Sequence, residues 1–196
     1  QDHPRLGAEE LAYIRAGTAE PDAGPAVRVG WGRIVGDRQV LLLTLSYFCY
    51  GYVAYIFFTW FFTYLSTVRG LNLKASALYA TLPFLAMTAA SILGGVVSDR
   101  LAERFGKRIG RCGVAAVGMT LASLFVALAT QVADARLAAV VLAGCAGALC
   151  LAQSAFWALS ADIGGRASGA VSGVMNMGAQ IGGVVTATAT AVIAHK

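Results

Sequence analysis

Five long runs of apolar residues, separated by short polar segments, set the pattern of this chain. Each run is long enough to cross a bilayer, because a helix needs about 20 mostly apolar residues to span the hydrocarbon core. None of the runs contains Asp, Glu, Lys or Arg, and none alternates polar and apolar residues as a barrel strand does. The pattern predicts an all-α membrane protein with five transmembrane helices, over residues 40–65, 77–97, 112–131, 137–159 and 168–193.

Composition agrees with a membrane protein and excludes several other classes. Only 13% of the 196 residues are charged, against about 25% in soluble domains. The net charge of +5 does not indicate a nucleic-acid partner, because the basic residues lie between the apolar runs. The four cysteines lack paired C-x-x-C spacing and the two histidines are too few for a histidine metal site. Neither a disulfide framework nor a metal or other cofactor is therefore expected.

The distribution of Lys and Arg orients the predicted helices. Eleven of these residues lie before the first run, between the second and third runs, and between the fourth and fifth runs. Only four lie on the other side. Since cytoplasmic loops carry the excess of Lys and Arg, the side with eleven is predicted to be cytoplasmic.

Residues 1–38 are the only sizeable polar segment, and they are predicted to form a cytoplasmic loop that precedes a transmembrane bundle over 39–196. Residues 7–15 have their acidic residues early and a basic residue late, which predicts a short amphipathic helix. Just before the first span, three apolar residues at amphipathic spacing are predicted to rest on the membrane surface. These residues are Trp31, Ile34 and Val35.

Between the second and third spans the chain carries the pattern G-x3-D-R-x3-R-x-G-K-R. Its fixed positions are Gly95, Asp99, Arg100, Arg104, Gly106, Lys107 and Arg108. Gly95 would let a neighbouring helix approach closely, and Gly106 would permit a tight turn. Asp99 would accept hydrogen bonds from a helix N-terminus or pair with an arginine. An ordinary cytoplasmic loop would explain the basic residues, but not the two glycines and the aspartate at these offsets.

This pattern resembles the signature loop of the major facilitator superfamily. The segment around Trp31 and the aromatic first span are similar to the anion:cation symporter family within it, as are Phe156–Asp162 and Ala167–Gly178. The resemblance covers essentially the whole chain and implies that its spans correspond to family spans seven to eleven, in the C-terminal half of a carrier. The family usually has a proline where Phe62 stands here, so the first span is expected to end less sharply.

The resemblance implies secondary active transport of a small organic anion, such as a sugar acid, by alternating access with proton symport. Sodium remains open as the coupling ion. Asp99, Arg100 and Arg104 would help to latch the two bundles at the cytoplasmic side. Because no span here contains a charged residue, the coupling groups are expected in an absent N-terminal bundle. The absence of an initiating Met and the odd number of spans also indicate a fragment.

Polar residues at helical spacing identify candidates for the substrate site near the bilayer midplane. Spacing alone suggests Tyr47 and Tyr55 in the first span. It also suggests Gln153, Ser154 and Trp157 in the fourth span, and Asn176 and Gln180 in the fifth. The resemblance strengthens the prediction for Trp157 and Asn176, which match positions that line the sugar-acid site in related carriers. Amides and hydroxyls in membrane helices also bond neighbouring helices, so a packing role stays open for each.

The fifth span contains two patterns of small residues, Gly169-x3-Gly173 and Gly178-x3-Gly182, which predict close approach of another helix.

The sequence also leaves alternative functions open. The sequence has no nucleotide-binding loop, zinc-protease motif or nucleophile elbow, so an enzyme is not expected. A drug or metabolite exporter of the same superfamily is one alternative. A five-span membrane protein without transport activity is another.

Overall fold

The computed structural model describes residues 7–10, 12, 30–70 and 72–194. The chain divides into two compact units, Gln1–Gly30 and Trp31–Lys196. In the first unit, residues 8–10 and 12 are helical, as predicted for the short helix over 7–15. The remainder of that predicted helix, including Leu11 and Ile14, lies outside the described residues.

The described elements of the second unit are all helical: a short helix, five long ones and the shorter turns that connect some of them. The short helix α1 (Trp31–Gly36) precedes the long helices. In chain order the long helices are α2 (Arg38–Thr59), α3 (Leu73–Phe105), α4 (Lys107–Gln131), α5 (Ala135–Gly164) and α6 (Ser168–Ala194). Helices α3 to α6 contain the four later apolar runs and extend beyond them at most ends, because the flanking polar residues continue the helices. The first run, 40–65, continues past the end of α2 at Thr59 into two further helical turns.

Four uninterrupted helical stretches in the described part of the chain are long and apolar enough to cross a membrane. The last of them, Ala135–Ile193, has 59 residues, which is about 90 Å of helix and far more than one crossing needs. A short 3₁₀ turn, Gly165–Ala167, divides it into α5 and α6. The hydroxyls of Ser160 and Ser172 lie 2.8 Å apart across this turn. The chain therefore reverses here, and five spans result, as predicted.

Helix α5 is the centre of the bundle, where it packs against α3, α4 and α6, while α2 pairs with α6. Much of the buried surface of α5 is alanine, glycine and cysteine, and such small side chains let the neighbouring helices come close. Helices α3 and α4 run in opposite directions, as do α5 and α6. The α3–α4 connection and the α5–α6 connection therefore lie at the same end of the unit. Both connections carry basic residues, and we call this end the basic end.

The two small-residue patterns of α6 have different environments. A Cβ on Gly178 or Gly182 would lie 2.6 or 2.4 Å from backbone oxygens of α2, so this pattern allows the close approach that was predicted. No described atom lies within 4 Å of a Cβ on Gly169 or Gly173. Within the described chain, the prediction of helix contact is therefore wrong for the first pattern.

Helix α2 does not stop sharply at its C-terminal end. After a break at Trp60, one more α-helical turn (Phe61–Thr63) and a π-helical turn (Tyr64–Val68) follow. This continuation agrees with the expectation from Phe62, since proline would disrupt these backbone hydrogen bonds.

Arg69 fixes the end of this extension to the C-terminus of α4. Its guanidinium donates to the carbonyl oxygens of Ala129 (3.2 Å) and Val132 (2.9 Å) and to the Tyr64 hydroxyl (2.6 Å). The last carbonyls of a helix have no partner within it and favour a cation. One of the four basic residues that the sequence assigns to this side thus caps a helix.

The three apolar residues predicted to lie on the membrane surface do not share one environment. Trp31 and Val35 are 66% and 49% exposed, whereas Ile34 is buried. Ile34 anchors α1 to the unit, and the other two side chains remain available to the bilayer surface.

Candidate functional site

Three of the predicted site residues form one hydrogen-bonded group between α2 and α5. The Tyr47 hydroxyl accepts hydrogen bonds from Trp157 Nε1 (3.0 Å) and from Gln153 Nε2 (3.4 Å). Gln153 and Trp157 are four residues apart, so they lie on the same face of α5. One phenol oxygen therefore fixes two polar side chains of the neighbouring helix.

Aromatic packing holds the centre of this group rigid. Tyr47 is only 2% exposed, and its ring stacks on Tyr50 at 4.8 Å. Phe156 contacts it edge-on at 5.3 Å. By contrast, Trp157 is 43% exposed. Because its N–H already donates to Tyr47, the indole of Trp157 exposes its ring surface and not its polar atom.

Asn176 lies on α6 at the same level of the bundle as Trp157. The contact between Ser160 and Ser172 fixes the register of the two antiparallel helices. Trp157 on α5 and Asn176 on α6 each lie about one helical turn from that contact, in the direction away from the basic end. Among the described residues, none hydrogen-bonds the Asn176 amide, and its side chain is half-buried.

Ser154 has a different environment from the other candidates. Its hydroxyl donates to the carbonyl oxygen of Ser91 on α3, at 2.8 Å. A serine bonded across a helix interface is typical of packing in membrane bundles. The structure thus brings Tyr47, Gln153 and Trp157 together, places Asn176 at their level, and uses Ser154 to join α3 to α5.

A second group of polar side chains lies at the basic end, and we call it the charge cluster. Arg111 on α4 donates to Asp99 Oδ1 (2.5 Å) and Ser98 Oγ (3.0 Å) on α3. It also donates to Asp162 Oδ2 (3.3 Å) on α5, whose other oxygen accepts from Lys107 (2.6 Å). Of the two partners left open for Asp99, the arginine is the one observed.

Glycines shape the turn that carries this cluster. Gly106 is the one residue between α3 and α4, and its φ of 88° is the left-handed conformation that the predicted tight turn requires. A Cβ on Gly110 would lie 2.3 Å from the Ala102 backbone nitrogen. Helices α3 and α4 are therefore in contact close to the turn that joins them.

Gly95 does not make the helix contact that was predicted for it within the described chain. No described atom lies within 4 Å of a Cβ on Gly95. The close approach is made instead by the preceding residue, Gly94, whose Cβ would lie 2.6 Å from the Leu151 backbone oxygen. Gly95 is rotated away from α5, because successive helical residues point in directions about 100° apart.

The other basic residues of the motif point outward. Arg100, Arg104 and Arg108 are exposed, and no carboxylate in the described part of the chain pairs with them. Sequence reasoning did not single out Arg111 and Asp162, the residues that close the cluster. The four-residue spacing of Lys107 and Arg111 was an available signal, since it places both on one helix face.

The chemistry of the group around Tyr47 is that of neutral polar and aromatic side chains. The group offers an aromatic surface and neutral hydrogen-bonding groups, and the surrounding helices carry no charge at this level. The described residues include no group of three or more His, Cys, Asp or Glu that could hold a metal ion.

Comparison with known proteins identifies transporters that are similar to this chain. A probable sulfoacetate transporter of Cupriavidus necator is 36% identical over 94% of the chain and 43% of the relative. A chloroplastic ascorbate transporter of Arabidopsis thaliana is 29% identical over 100% of the chain and 36% of the relative. A probable galactarate/D-glucarate transporter of Escherichia coli is 30% identical over 63% of the chain and 30% of the relative. The chain thus spans less than half the length of these curated relatives.

The relatives are named as transporters of anions, in agreement with the predicted kind of protein and not with an enzyme. The family model described as Major Facilitator Superfamily matches residues 4–187, almost the whole chain. Together with the apolar helices, this match shows an integral, multi-pass membrane protein. The chain belongs to the Major Facilitator Superfamily.

Proposed function

We propose that the gene product containing this chain is a secondary active carrier of a small organic anion, driven by proton symport. Residues 1–38 would be its cytoplasmic central loop and residues 39–196 its C-terminal bundle. The observation that carries the proposal is the layer formed by Tyr47, Gln153, Trp157 and Asn176. The sulfonated and hydroxylated carboxylates in the relatives' names support the choice of an anion.

The layer suits a polar solute that must bind and leave again. Trp157 offers a ring surface against which a carbon chain can pack, and the Asn176 amide offers both a donor and an acceptor. Neutral groups can bind an anion and still release it readily, because its release leaves no charged side chain of the protein without a partner. Compensation of the anion's charge would come from residues outside this chain.

The charge cluster supports alternating access. Asp99 remains 62% exposed while one of its oxygens is bound by Arg111. Arg100 and Arg104 are exposed beside it. These side chains would face the other bundle across the cytoplasmic opening and latch it when the carrier opens outward.

Transport by the purified gene product in proteoliposomes tests the proposal. Labelled glucarate, sulfoacetate and ascorbate would be offered under an inward proton gradient, an inward sodium gradient or neither. We expect uptake of at least one anion, accelerated by the proton gradient and abolished by a protonophore. Acceleration by sodium alone would contradict proton symport. Absence of uptake of all three anions would contradict the proposed substrate class.

Site variants connect the activity to the layer. Trp157→Ala and Asn176→Ala should each raise KM about fivefold to tenfold, the equivalent of one lost aromatic or hydrogen-bonding contact. The matched controls are Trp31→Ala, an exposed tryptophan on α1, and Met177→Ala, the exposed neighbour of Asn176. If KM changed equally in variants and controls, the layer would not be the substrate site.

A further inference from the structure

Gln180 lies on α6 one helical turn beyond Asn176, and its amide is held in a defined orientation. The Tyr55 hydroxyl on α2 donates to Gln180 Oε1 at 2.5 Å. The Tyr55 ring is itself fixed, because it lies so close to Gly183 that a Cβ there would approach it to 2.6 Å. Phe58 packs against the same ring, with the centroids 6.0 Å apart.

This hydrogen bond determines what Gln180 can offer to a ligand. A glutamine amide has one acceptor oxygen and an NH₂ group with two donors. Because Tyr55 occupies the oxygen, the donors remain, and no other described residue hydrogen-bonds Gln180. The side chain is exposed. It therefore presents both N–H donors of its amide, which suit an acceptor oxygen such as that of a carboxylate, sulfonate or hydroxyl group.

Gln180 lies next to the layer that contains Asn176, Trp157 and Gln153. Residues four apart on a helix share a face and are separated by about 6 Å along the axis. Asn176 and Gln180 thus place two amide groups in line along one face of α6, the first half-buried and the second exposed. Register with α5 places Gln180 at the level of Gln153, one turn beyond Trp157.

We propose that Gln180 is a specificity-determining residue, which binds a second oxygen-bearing group of the same anion that Asn176 binds. This inference rests on the proposed function. The spacing of the two amides selects an anion with polar groups at both ends over a short monocarboxylate. Tyr55 is a positioning residue, since it acts by keeping the donors of Gln180 directed outward.

Kinetics of the gene product with two kinds of anion test this inference. In Gln180→Leu, KM for an anion with two polar ends, such as glucarate, should rise by up to about tenfold, the value of one hydrogen bond. Vmax and the KM or inhibition constant of lactate, a short monocarboxylate, should stay near the wild-type values.

Two further variants test the role of the amide. Tyr55→Phe should raise KM for glucarate by a smaller factor, and Gln180→Asn, which keeps the amide, should raise it less than Gln180→Leu does. Gln131→Leu, an exposed glutamine at the end of α4, is the matched control.

The outcomes separate this inference from the proposed function. If wild-type protein transports the anion and Gln180→Leu has the same KM as Gln131→Leu, the inference is wrong and the carrier function stands. If Gln180→Leu lowers Vmax equally for every anion, the Tyr55–Gln180 contact only supports the fold and the inference is again wrong. If the wild-type protein transports no anion, the proposed function fails and the inference fails with it.

Discussion

Arg111 joins three helices through one guanidinium group. Its side chain is 14% exposed and contacts carboxylates on α3 and α5. The planar fork of an arginine can meet two carboxylates at once, which a lysine cannot do with the same geometry. Lys107 adds a second cation to Asp162 from the solvent side. The shielded arginine, more than the exposed basic residues around it, therefore fixes the relative positions of the helices at the basic end.

Arg111→Met should lower the free energy of unfolding by about 1–3 kcal/mol, because Asp99, Asp162 and Ser98 lose a shielded donor. Arg108→Met, an exposed neighbour without an ion pair in the described chain, should change it by less than about 0.5 kcal/mol. Thermal unfolding of the purified gene product in detergent compares the two. Equal shifts would show that Lys107 alone is sufficient to hold Asp162.

At the scale of the helices, α2 and α6 are in close backbone contact at several points along their length. Gly51 meets the Ala179 backbone, and Gly182 meets the Phe48 carbonyl, each with a Cβ position 2.4 Å from an oxygen atom. Thr186 adds a hydrogen bond to the Tyr52 carbonyl. Helix α2 carries Tyr47 and Tyr55, and α6 carries Asn176 and Gln180. This contact therefore sets how these four side chains lie relative to one another.

Gly182→Ala should destabilise the protein by about 1–3 kcal/mol, since the added methyl group forces the two helices apart. Gly173→Ala is the matched control on the same helix, where the methyl group would meet no described atom. It should leave stability unchanged or raise it slightly, because alanine favours helix by about 1 kcal/mol over glycine. The midpoint of thermal unfolding distinguishes them, and similar losses for both would contradict the packing described for α6.

The helices themselves could be predicted, whereas their rotations could not. Apolar runs determine where spans lie, and Gly106 marks a turn because of its backbone freedom, so both were available from local sequence. Whether Gly94 or Gly95 faces α5, or which of two glycine patterns meets α2, depends on how each helix is rotated about its axis. The pairing of Arg111 with Asp162 depends on packing between residues 51 positions apart. Hydrophobic periodicity is weak evidence for rotation here, because lipid and the core are both apolar.

At the scale of the whole molecule, polar chemistry is segregated by depth. Charged residues lie at the helix ends and the five apolar runs contain none, while hydroxyls and amides form the layer between. A charge at mid-membrane costs several kcal/mol and is kept where function needs it. In this half of the proposed carrier, neutral groups would therefore contact the substrate, and the charged residues would act on the opening at the basic end.

This separation predicts two independent effects of a change at the basic end. Asp99→Asn should lower the maximal rate of transport, because the amide weakens the pairing with Arg111 and the proposed latch. The pH at which uptake is half-maximal should not move, because the proton-coupling groups are proposed to lie outside this chain. Uptake measured across a pH series in proteoliposomes checks both effects. Asp134→Asn, at the opposite end, is the control: Asp134 caps α5 by accepting from the Leu137 N–H, and asparagine caps a helix equally well. A rate unchanged in Asp99→Asn would exclude the latch, and a displaced pH midpoint would place a coupling carboxylate in this bundle.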